Sequence, residues 1–165
     1  FSKIDFRILK NTNMAYPSVF DAATTAQVLN RLEKLTPQTQ PLWGKMNAAQ
    51  MLAHANVSYH VAYGNLPVKN NFFAKWLLKT FVKNGVVNEV PYKKSSQTAP
   101  YFIIADQRDF EKEKQILINY IKETESKGVA YFEGKESVSF GVLTAKEWSN
   151  MFYKHLDHHF NQFGI

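Results

Sequence analysis

The chain has 165 residues, a length that suits one domain with a sizeable core, and its 45% hydrophobic content argues against disorder. It contains no cysteine, which excludes disulfide scaffolds, thiolate zinc sites and thiol nucleophiles. The net charge of +6 comes from lysines scattered along the chain, among them Lys3, Lys45, Lys69, Lys93, Lys112, Lys135 and Lys154, so a solvated surface is expected rather than a nucleic-acid-binding patch.

Residues 1–13 precede Met14 and read as an N-terminal extension without a clear role, leaving 14–165 as a single domain. The start has no continuous apolar stretch of a signal peptide, and no apolar run approaches the roughly 20 residues that span a bilayer, so a cytoplasmic location is expected. Val28, Leu32 and Leu35 recur at helical spacing and predict a helix that Asp21 caps, ended by the prolines of "TPQTQP". A second helix is predicted from Asn47 to about Tyr63. The stretch "NNFFAKWLLKTFVKNG" (70–85) predicts a third, starting at a capping Asn and stopping at Gly85. It mixes Lys75, Lys79 and Lys83 with Phe72, Phe73, Trp76 and Phe81. Such a helix can lie on anionic lipid, but the expectation is that its aromatics pack on the bundle or a partner subunit while its lysines face water. Residues 86–105 read as loop, 107–125 as a helix ending at Gly128, and 145–162 as the last helix. No strand is predicted; "YFII" (101–104) comes nearest. The economical fold class is all-α, an antiparallel four-helix bundle with an extra short helix and loops.

Two of these helices begin alike. In "MNAAQM" Asn47 caps with Gln50 three residues on, and in "LTAKEW" Thr144 caps with Glu147. Met46 with Met51, and Leu143 with Trp148, stand at staple positions. With registers set, each residue advances about 100°. On the last helix His155 and His159 fall within about 20° of Trp148, in the centre of the apolar stripe, whereas His158 lies on its flank. Asn150, Lys154, Asp157 and Asn161 fall near the opposite pole. On the second helix His54 faces the bundle better than His60, which points to the surface. Ser58 and Tyr59 read as packing.

Two readings of the inward histidines stand side by side. They are core groups satisfied by hydrogen bonds, or His155 and His159, at i,i+4 on one face, join His54 from a facing helix around a divalent cation with open positions for water or substrate. Burying neutral imidazoles unpaired costs about 1–3 kcal/mol each, which a cation offsets. Gln162, one turn beyond His159, is a candidate to steady a ligand from behind, and His158 is a second candidate. Asp157 reads as surface and Glu147 as the capping group.

"PLWGKMNAAQMLAHA" (41–55) and "FGVLTAKEWSNMFYKHLDHHFNQFG" (140–164) resemble the DUF1569 family of the DinB/YfiT-like superfamily of metalloenzymes. The resemblance implies an up-down-down-up four-helix bundle, often a homodimer. It implies nickel, zinc or iron on His54, His155 and His159, and a small-molecule substrate. It also implies a thiol-dependent transferase or a hydrolase, with a low-molecular-weight thiol or a water activated at the metal. The sequence departs from the family pattern at Val138-Ser139, where the pattern has His-Pro. The alternative is a non-catalytic bundle that binds metal for stability or serves interaction.

Overall fold

Both predicted capping boxes form. Asn47 accepts from the Gln50 amide while the Gln50 side chain accepts from the Asn47 amide, and Thr144 and Glu147 exchange the same pair of bonds. These pin the starts of the two helices that carry the histidines.

The protein is seen in a computed structural model that describes residues 16–165; the proposed extension at 1–13 lies outside the described residues. The order is α1 (Ala22–Glu33), α2 (Ala48–Ala62), α3 (Phe72–Leu77), a π-helical turn (Leu78–Val82), α4 (Lys83–Val87), a 3-10 turn (Pro100–Phe102), α5 (Phe110–Phe132), β1 (Glu136–Ser137), β2 (Gly141–Val142) and α6 (Ala145–Gln162). The chain is mostly helical. Helix α2 packs against α5 and α6, α5 also against α1 and α6, and α4 lies on α6.

The core is aromatic. Tyr59 is stacked 4.5 Å from Phe152 and 5.3 Å from Tyr120, between α6 and α5. Phe132, wholly buried, packs on Phe20, Trp148 and Phe152. Each such side chain contributes about 2–3 kcal/mol by burial alone. Helix α2 is buried almost all round, which explains why its pattern in sequence is so weakly polarised: even Asn56 is inside, donating to the Glu113 carboxylate at 2.9 Å and to its backbone carbonyl at 3.0 Å.

Several sequence expectations are corrected. Helix α5 does not end near residue 125. Gly128 takes φ 65° and the chain turns helical again as far as Phe132, because burying that ring outweighs the break. The segment 70–85 is not one regular helix; it swells into a π turn and runs past Gly85 to Val87. A two-residue antiparallel hairpin, Glu136 opposite Val142 and Ser137 opposite Gly141, adds a strand pair where none was expected. As expected, "YFII" forms no strand; Tyr101 and Phe102 complete the 3-10 turn Pro100–Phe102. Asp21 sits at the N-cap of α1, but its side chain makes no capping bond.

The pole of α6 opposite the histidines is solvated only in part: Asn161 is exposed, but Asn150 and Lys154 are buried. Lys154 is 2% exposed, and its ammonium donates to Gly85 O (2.7 Å), Asn88 Oδ1 (2.8 Å) and Asn88 O (3.3 Å). Three donors meet three acceptors, so the charge survives burial even though desolvation pulls its pKa down to about 8. Asn150 donates to Val87 O at 2.9 Å. Together these clamp the end of α4 to α6. Asp157 is only partly exposed; it pairs with Arg31 at 2.6 Å and ties α1 to α6.

Candidate metal centre

His54 enters from α2, His155 and His159 from successive turns of α6. One ring nitrogen from each lies within 4.8 Å of the other two. His54 and His159 are buried, and His155 is partly exposed. The i,i+4 spacing puts two rings on one stripe, and the packing of α2 on α6 brings the third.

Hydrogen bonds from behind set the tautomers. His54 Nδ1 lies 2.8 Å from the Phe102 carbonyl, which can only accept, so Nδ1 carries the proton and Nε2 is a free lone pair. His159 Nδ1 lies 2.8 Å from Gln162 Oε1. The Gln162 amide is oriented in turn, because its Nε2 donates to the Trp43 carbonyl at 2.7 Å. His159 therefore also carries its proton on Nδ1 and has Nε2 free. His155 Nε2 is 3.0 Å from His54 Nε2. As the latter accepts, His155 Nε2 donates, which leaves His155 Nδ1 buried without a partner. A cation between the three rings would displace the proton from His155 Nε2 to Nδ1, so that the Nε2 atoms of His54 and His159 and one ring nitrogen of His155, within 4.8 Å of one another, fit a shared ion.

The rings are neutral. Burial, with His54 nearby, pushes His159 down to about 3, against the Gln162 bond. Burial and the neighbouring histidines hold His155 well below the usual histidine value. Burial lowers His54, opposed by the Phe102 carbonyl.

The cluster forms the floor of a cavity of about 840 Å³ with mostly apolar walls, among them Val61, Leu78, Val82, Tyr101 and Phe102. Glu136 is the one carboxylate among its lining residues. His158 also lines it, packing edge-on to His159 (5.1 Å), Trp43 (5.9 Å) and Tyr92 (5.7 Å), and makes no hydrogen bond among the described residues. Of the two candidates for support, Gln162 thus bonds a histidine and His158 does not. His60 lies away from the cluster, half-buried rather than on the surface, with Nδ1 2.7 Å from the Tyr120 hydroxyl. Ser58 bonds its own helix at Ala55 O, and Tyr59 serves packing.

Sequence reasoning missed two supports. The Phe102 carbonyl lies on an irregular segment whose path no periodicity reveals. Gly44 is the other: it takes φ 87°, and a Cβ there would stand 2.5 Å from Gln162 Nε2. Only glycine lets the Trp43 carbonyl and the Gln162 amide meet. The signal was a glycine between Trp43 and Lys45 with no turn partner to explain it. Comparison with protein-family models, with curated proteins and with solved structures finds no match for this chain.

Proposed function

We propose that His54, His155 and His159 hold a divalent metal ion, nickel, zinc or iron, and that the chain is a metal-dependent transferase or hydrolase. The observation that carries this is the convergence of three neutral imidazoles, two with their tautomers fixed from behind, on the floor of an open cavity. We read the packing of α1, α2, α5 and α6 as an antiparallel four-helix bundle of up-down-down-up order, in keeping with the resemblance to the DinB/YfiT-like superfamily.

Bound between uncharged imidazoles, a divalent cation keeps most of its charge and supplies Lewis acidity that lowers the pKa of a coordinated water or thiol. The chain's own residues do the rest. Trp43 and Gln162 hold His159, and Phe102 holds His54. His158 lines the cavity without a hydrogen bond among the described residues and is the imidazole we assign to take up a proton; burial lowers its pKa while Asp157 opposes that.

The test is elemental analysis of untagged protein purified without chelator, followed by a screen of activated esters and of electrophiles with small thiols. One equivalent of metal and turnover that chelator removes are expected; protein free of metal after dialysis against each ion would end the reading.

Gly44→Ala gives a finer check. It should weaken metal affinity about tenfold or more by pushing Gln162 off His159, as loss of a ligand's supporting partner does. Gly64→Ala is the control: that residue has φ 77° but nothing within 4 Å of a Cβ, so it carries similar backbone strain and should leave affinity intact. Equal affinity in both variants would remove Gly44 from the site.

A further inference from the structure

We propose that the helical segment Phe72–Val82 docks this protein on a membrane surface rich in anionic lipid. The expectation that its aromatics pack on the body of the protein is not met. No residue of α3 or of the π turn is buried. Phe72 is 87%, Phe81 71%, Phe73 64% and Trp76 49% exposed. Phe73, Trp76 and Phe81 touch in series, with ring centroids 6.1 and 6.0 Å apart, so they form one continuous face. A face of this size without a partner among the described residues marks a binding surface.

Charge selects the occupant. Between Glu33 and Glu89 the chain has six lysines and no acidic residue. Lys75 pairs with Glu136 and Lys83 with Glu147, which fastens the segment to the hairpin and to α6. Lys79 makes no ion pair among the described residues. A second copy seated by two-fold symmetry would bring like charge to like charge, and interface cores are poor in lysine. An anionic bilayer attracts Lys79, the lysine of the segment without an ion pair among the described residues, and takes up the rings. No described helix is long and apolar enough to cross a membrane, so the segment lies on the surface. Its inner side, through Leu78 and Val82, walls the apolar cavity, which places the cavity beside the lipid. The docking face does not depend on the metal.

The experiment is co-sedimentation of the full chain with phosphatidylglycerol vesicles and with phosphatidylcholine vesicles over a salt series, alongside light scattering. Binding to phosphatidylglycerol that falls as salt rises is expected. Phe72→Ser with Phe73→Ser should weaken it about tenfold or more, since exposed rings carry no folding load. Lys79→Glu should also weaken binding to phosphatidylglycerol and flatten its salt dependence. Absence of vesicle binding, or binding that the serine variants leave unchanged, overturns the proposal. A dimer in solution that those variants dissociate, with no vesicle binding, overturns it in favour of self-association.

Discussion

His159→Ala and His155→Ala are each expected to abolish stoichiometric metal, with affinity falling by more than about a hundredfold, beyond the 10–100-fold that losing a supporting partner costs. Two ligands from different elements hold a divalent ion poorly, and the open positions of the site cannot compensate. His159 is buried, so its replacement also leaves a small void, and circular dichroism must show that helix content is kept. His155 is partly exposed and tests the same site with less risk to the fold. Titration with zinc and nickel, read by calorimetry, decides the matter. Full-affinity, one-to-one binding in both variants would place the metal elsewhere.

Acid should destabilise the metal-free protein. A buried histidine whose native pKa is depressed stays neutral while the unfolded chain takes up a proton below about 6.5. The unfolded state then binds more protons, so stability is fully present above pH 6.5 and drains away as pH falls toward the native pKa. For His159, pushed down to about 3, this amounts to about 2 kcal/mol between pH 7 and pH 5. His155 and His54 act in the same direction. Urea unfolding of chelator-treated protein at the two pH values measures the total. His159→Gln should remove the His159 share; a variant with the same pH dependence as the parent would show that this imidazole is not buried neutral.

How much could be read in advance differs by element. Helix starts were legible because a capping box is a local pattern: Asn47 with Gln50 and Thr144 with Glu147 need only three residues of context. The inward stripe of α6 was legible because its period is local too. Helix α2 was harder, since it is buried on nearly every side and no polar face marks its orientation. The π turn, the helical turn beyond Gly128 and the hairpin were not legible, because each depends on contacts from distant parts of the chain. Lys154 misled for the same reason: its acceptors lie at Gly85 and Asn88, about seventy residues earlier.

By itself, then, the order of residues determined the beginnings of α2 and α6, the absence of cysteine chemistry and the pair of imidazoles on one face of α6. Only the tertiary structure decided that His54 meets that pair, that Trp43 and Phe102 supply the carbonyls that set the tautomers, and that the aromatics of α3 are left uncovered by the other described residues. The reason is range. Hydrogen bonds within a turn and a period of about 3.6 residues are written in neighbouring positions, whereas a site joining residues 101 apart in sequence exists only once the helices have packed.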